Sequence, residues 1–169
     1  MADLDTIRTQ IKNFISPVTG IGQVHDYLRW AVNDKDFQTW AITGSRINVW
    51  QITRLTTEER WLTSGEYNRA HVFAIYGAYG AKDSDTTEKT FQTLIERVCG
   101  RFRSDSARTL NDTVETIAPS HGDVSGESAS AGAIGGVQVS QVEHRMLRDF
   151  LVHWVELRLG VQELPALFP

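Results

Sequence analysis

Histidine beside aspartate is the first chemistry the chain offers. His25 and Asp26 stand next to each other, but a general base needs a partner in space, and adjacent residues of a strand point to opposite faces. The pair therefore builds no dyad by itself. The other histidines, His71, His121, His144 and His153, show no i, i+4 or HxH spacing on a helix, so no metal site is expected. His71, His144 and His153 fall in strand-like segments, where a hydrogen-bonded, partly buried ring is expected. Cys99 is the one cysteine, which excludes an internal disulfide and a CxxC site. It follows the apolar Val98 and has no basic neighbour or helix start to lower its pKa, so it reads as a small core residue. The chain contains no P-loop, no GxGxxG after a strand, no HExxH and no GxSxG. The acids at Glu58 and Glu59, from Asp83 to Glu88, and at Glu143 sit at turns and helix starts as solvated charge. Catalytic residues, cofactor and metal are all expected to be absent, and the chain reads as a non-enzyme.

What remains is recognition chemistry. Of 17 basic residues only Lys12, Lys35, Lys82 and Lys89 are lysine, and the rest are arginine, whose planar fork pairs with carboxylates and stacks on aromatic rings. Five tryptophans accompany them: Trp30, Trp40, Trp50, Trp61 and Trp154. Trp and Arg are common anchors of binding hot spots. Arg97, Arg101, Arg103 and Arg108 cluster near one helix end, where they complement the helix dipole and could also face an acidic neighbour. A protein partner is favoured over DNA, because the net charge of -4 opposes a broad phosphate contact.

The elements that must position these residues follow from periodicity. The 169 residues suffice for one domain with a real core, and roughly 70% of the unfolded surface is removed from water at this size. No stretch approaches about 18 uninterrupted apolar residues, so no membrane span is expected. The opening MADLDTIRTQIKNF carries acids where a signal peptide needs a basic region and an apolar block. Leu4, Ile7, Ile11, Phe14 and Ile15 predict a helix over 3–16, ended by Pro17. Residues 24–30 predict a short strand, and 31–48 a loop. Residues 47–62 and 69–81 alternate as two strands of a long hairpin, the second apolar on both faces and hence central. Asp85 with Glu88 predicts the cap of a helix to about Arg108, with Phe91, Leu94, Ile95, Val98 and Phe102 as its stripe. A short strand is possible at 113–118. Residues 120–136 are nearly all Gly, Ser and Ala, which reads as a loop that is flexible or orders on a partner. Val137–Leu147 and Phe150–Val161 predict a second hairpin turning at Arg148 and Asp149. The sum is an α+β domain over 1–169, a mostly antiparallel sheet with helices packed on one face.

This order carries a resemblance. A short helix, the hairpin INVWQITRLTTEERWL…RAHVFAIYGAYGA, the covering helix DTTEKTFQTLIERVCGRF and the strand pair ending FLVHWVELRLGVQEL resemble the tail terminator proteins of long-tailed bacteriophages, over residues 3 to 163. The resemblance is one of element order and texture, without a signature motif. It implies a virion protein with no catalytic residues, a six-membered ring of copies on the last ring of tail-tube protein. Such a ring stops tube growth, binds the head's neck proteins and lets DNA pass through its lumen. It is assembled in the host cytoplasm, with no membrane involved. Subunit or partner contacts are then expected from Trp50, Arg54 and Trp61 on the first hairpin and from Arg97, Arg101, Arg103 and Arg108 as inter-subunit ion pairs. Val124 and Ile134 in the loop, and Leu167 and Phe168 in the apolar tail, complete that set. A head-closure or tail-completion protein of the neck is the alternative. A less favoured one is a small-molecule module whose pocket would be lined by Trp30, Trp40, Tyr76 and His71.

Overall fold

The structure, a computed structural model, describes residues 4–29, 33–63, 66–103, 110, 114–117 and 137–163. It is an α+β fold built on one strongly antiparallel sheet. Helix α1 (Leu4–Ile15) leads into β1 (Gln23–His25), α2 (Asp34–Ala41) and β2 (Ile42–Thr43). The long strands β3 (Arg46–Thr63) and β4 (Glu66–Gly80) follow, then a 3-10 turn at Asp83–Asp85 and helix α3 (Thr87–Arg101). Strands β5 (Val114–Ile117), β6 (Val137–Leu147) and β7 (Phe150–Glu163) close the order. The sheet runs β1–β3–β4–β7, with β5 and β6 both pairing the far edge of β7. Among the described strands, only β1 is parallel to its neighbour. Its approach needs Gly22, because a Cβ there would lie 1.9 Å from the Asn48 carbonyl oxygen.

Both expected hairpins form. β4 is central, and Leu147 pairs with Phe150 across Arg148 and Asp149, with Arg148 at φ +55°. On one face of the sheet, α1 and α3 pack Ile7, Ile11, Ile15, Phe91, Leu94, Ile95 and Val98 against Trp50, Ile52, Phe73, Ile75, Leu157 and Leu159. Cys99 lies in the same core, and burial, followed by nearby Glu96, pushes its thiol pKa up.

Four details depart from the sequence reading. Residues 31–48 were expected as loop, yet α2 forms at 34–41, because Asn33 caps it by accepting the Asp36 N–H at 2.9 Å and Phe37, Trp40 and Ala41 find a core. That core holds Val49, Ala78 and Val152, alternate residues of the same strands, so α2 covers the opposite face from α1 and α3. The helices therefore do not share one face. The strand expected over 24–30 is only three residues long. Asp85 does not cap α3: Lys82 at 3.1 Å, and then Arg46 at 2.7 Å, pair with its carboxyl and hold it below the usual range, and Thr86 at φ +50° precedes the helix. Phe102 caps the other end of α3, donating its N–H to the Cys99 carbonyl at 3.1 Å while Arg103 donates to the Gly100 carbonyl at 3.2 Å, short of the Arg108 expected.

Three register shifts interrupt the pairing, one of them between Trp61 and Thr63 near the hairpin end and two in the body of the sheet. Leu55 is an extra residue between Arg54, opposite Phe73, and Thr56, opposite Val72. Ser140 plays the same part between Val139, opposite Leu157, and Gln141, opposite Glu156. Each moves the following side chains to the other face of the sheet.

Candidate functional site

Three arrangements outside the core carry chemistry. The first is a cleft of about 640 Å³ on the α2 face of the sheet. Its walls come from Phe37 and Trp40 of α2, Arg29 after β1, Tyr76 of β4, Arg145 and Arg148 at the end of β6, and Trp154 and Glu156 of β7. Tyr76 stacks on Trp154 with centroids 5.4 Å apart, and Arg145 lies over the Trp154 ring at 4.7 Å. Arg148 sits 5.8 Å over Phe37 and pairs with Asp34, while Arg145 pairs with Glu143. Glu156 is already met by Arg158 at 2.8 Å. Burial, then the Glu156 charge, raises the Tyr76 pKa, so its phenol stays a proton donor. The cleft thus offers aromatic faces ringed by guanidinium groups, a surface suited to aromatic and carboxylate groups together.

The second is β6 itself. On the face that α1 and α3 cover further in, Val139, Val142, Met146 and the neighbouring Leu151 of β7 remain 43%, 44%, 62% and 50% exposed. Among the described residues, no strand pairs with the outer edge of β6. An open edge with an apolar row is a site for another chain.

The third is a pair of buried histidines. His71 lies between Glu163, 2.8 Å from Nε2, and the Thr57 hydroxyl, 2.9 Å from Nδ1. His153 meets the Thr87 hydroxyl at 2.9 Å. That hydroxyl donates to the Lys82 carbonyl and accepts the Lys82 N–H, so its remaining lone pair accepts the His153 Nε2–H. Burial, then the neighbouring His144, holds the His153 pKa below its ordinary 6.5. The unfolded chain therefore binds this proton more readily than the folded one. The resulting stability is complete above about pH 6.5 and is lost as pH falls through the lower folded value. The melting temperature is expected to drop on acidification below about pH 6.5. In His153→Gln that drop is expected to be shallower, and an unchanged slope in thermal melts would place the linkage elsewhere.

The sequence-expected contact residues divide. Trp50 is fully buried, its ring 6.2 Å from Phe91 under α3, and cannot reach a partner. Arg54 is exposed on the helix side just before the bulge. Trp61 lies opposite Tyr67 in the hairpin register. Arg97 and Arg101 reach from α3 to α1: Arg97 donates to the Thr19 carbonyl at 3.0 Å, and Arg101 donates to the Phe14 carbonyl at 3.1 Å and covers the Phe14 ring. Arg103 meets Glu96 of its own helix at 3.3 Å. These contacts are intramolecular. Arg108, Val124, Ile134, Leu167 and Phe168 lie outside the described residues, as does Trp30. Of the expected pocket residues, Trp40 and Tyr76 do line the cleft, whereas His71 is on the other face of the sheet. Arg29, Phe37, Arg145 and Trp154 were not foreseen, because the cleft draws on segments far apart in the chain.

No protein-family model matches the chain, and no curated protein matches it. Among the described residues, no helix is long and apolar enough to cross a membrane.

Proposed function

We propose that the chain is a structural subunit of a phage virion, six copies of which form a ring. The ring caps the tail tube, ends its growth and joins it to the neck of the head. The observation that supports this most is the apolar row of β6 beside a strand edge that, among the described residues, no strand pairs. A monomer gains nothing from keeping Val142, Met146 and Leu151 in water, whereas a subunit covers them when it meets the next copy. The element order over 3–163 adds the tail terminator reading, and the role is one of assembly, with no reaction to catalyse. Partners are further copies, tube protein and neck proteins.

Native mass spectrometry over a concentration series, with negative-stain microscopy, tests this. A closed ring of six supports the proposal. Val142→Asp with Met146→Asp is expected to leave the fold intact and weaken assembly tenfold or more, about 1.4 kcal/mol or above. Unchanged assembly would remove β6 from the interface.

The cleft favours a second reading, a small-molecule binding module. A chain that stays monomeric at every accessible concentration and binds a metabolite tightly would select it.

A further inference from the structure

His144 and His153 are register partners across the β6–β7 pair, on the side of the sheet that carries Val142 and Met146. Their ring centroids lie 4.7 Å apart, with the planes at 55°. The two differ in freedom. His153 is 6% exposed and packs on Phe91 at 5.9 Å, whereas His144 is exposed and can turn about its side-chain bonds. Helical spacing cannot reveal such a pair, because the pairing of two strands brings it together.

The tautomer of His153 is set by its neighbours. Nε2 donates to the Thr87 hydroxyl at 2.9 Å, and that hydroxyl is held by the backbone N–H and carbonyl of Lys82 at 2.8 and 3.1 Å. A ring that carries its proton on Nε2 has a bare lone pair on Nδ1. Among the described residues, no group donates to that nitrogen. Burial, then the neighbouring His144, disfavours the protonated ring. Metal-binding histidines are held in this way, one nitrogen tied to a fixed acceptor and the other left for the ion. The spacing agrees. Two imidazoles sharing one metal, at bonds of about 2.0–2.1 Å and an angle of about 90–110°, hold their centroids roughly 4.5–5.2 Å apart. Both rings line a cavity of about 440 Å³ at the start of α3, together with Lys82, Glu88 and Lys89. Lys82 pairs with Asp85 at 3.1 Å, and Lys89 is exposed and can turn away.

We propose that His144 and His153 bind a divalent transition-metal ion, through Nδ1 of His153 and one ring nitrogen of His144, with Glu88 in the same cavity to balance its charge. Among the described residues, no third His, Cys, Asp or Glu completes a ligand set as the side chains stand, so water takes the remaining positions. Two imidazoles and water suit copper(II), then nickel(II), in the order of divalent affinities. The ion would tie β6 to β7 beside the start of α3. The site lies within one chain and stands independently of the ring reading.

The test titrates chelator-treated, full-length protein with copper(II), nickel(II) and magnesium chloride by calorimetry near neutral pH. Copper(II) is expected to bind tightest, at one ion per chain, and magnesium not at all. At roughly a hundredfold excess over the dissociation constant, copper(II) should raise the melting temperature by about 5 °C or more. Paramagnetic resonance of the copper(II) form should show coupling to two imidazole nitrogens. His144→Gln and His153→Gln are each expected to weaken copper binding about tenfold or more. His25→Gln should leave it unchanged. Copper held as tightly by His144→Gln as by wild type would overturn the site, as would magnesium binding that matches nickel, or no copper binding at all. Should His153→Gln fail to fold, the exposed His144→Gln decides.

Discussion

Trp50→Ala is expected to cost about 3–5 kcal/mol in urea denaturation, the usual range for emptying a large aromatic site. The indole is fully buried between the sheet and α3. It lies across Gly77, its register partner on β4, and a Cβ at that glycine would stand 2.7 Å from the ring carbon Cζ3. Glycine is therefore required at 77 by the tryptophan. Gly77→Ala in the wild-type background is expected to cost about 1–3 kcal/mol by overpacking. In the Trp50→Ala background the same change loses its clash and places a methyl in the new cavity, so it should be neutral or stabilising. The double-mutant cycle then shows a coupling of opposite sign to the single costs. Additive costs would mean that the ring does not rest on Gly77. The cycle also separates two uses of tryptophan: Trp50→Ala should lower stability, whereas loss of an exposed anchor should lower assembly alone.

That distinction was not readable from the sequence, and the reason is local. Strand β3 is apolar on both faces around Trp50, so alternation says that Trp50 and Ile52 share a face but not that α3 covers it. The α3 stripe was readable, because Phe91, Leu94, Ile95, Val98 and Phe102 repeat at helical spacing and meet one flat sheet. The turn at Arg148 and Asp149 was readable because two alternating runs flank it. The bulges at Leu55 and Ser140 were not, since each adds one residue without a turn signal and moves everything after it to the other face. Asp85 had the spacing of a capping box, but Arg46, distant in sequence, claims its carboxylate. Helix α2 needed both the Asn33 cap and a core made by three distant strands.

The candidate site was legible in its residue types and not in its positions. An excess of arginine and tryptophan reads as recognition chemistry, and the cleft gathers three arginines beside Trp40 and Trp154. Two of the arginines singled out on α3 also act within the chain. Arg97 and Arg101 satisfy carbonyl groups where α1 ends, which ties the two helices of the covered face together. The guanidinium groups that line the cleft come from Arg29 in the β1–α2 connection, Arg145 of β6 and Arg148 of the turn after it, segments that no spacing rule links.

His71→Leu is expected to destabilise the chain by about 3 kcal/mol. His71 and Glu163 are both buried, and Glu163 also meets Arg69 at 3.4 Å, which in turn meets Glu59 at 2.9 Å. In the neutral ring, Nε2–H donates to Glu163 and Nδ1 accepts the Thr57 hydroxyl proton. Leucine removes both contacts and leaves a buried carboxylate short of a donor. The loss should exceed that of Glu163→Gln, whose amide oxygen still accepts from the ring. Adding Glu163→Leu to His71→Leu should recover part of the stability, since an apolar pair needs no donor. A neutral His71→Leu would show that the network contributes nothing. The cluster binds the end of β7 to β3 and β4 at Ala70, where the hairpin leaves the sheet. Loosening it should therefore raise amide exchange at residues 57–59 and 69–71 before the core opens. A variant that loses stability while exchange at those residues stays unchanged would show that the network does not hold this end of the hairpin.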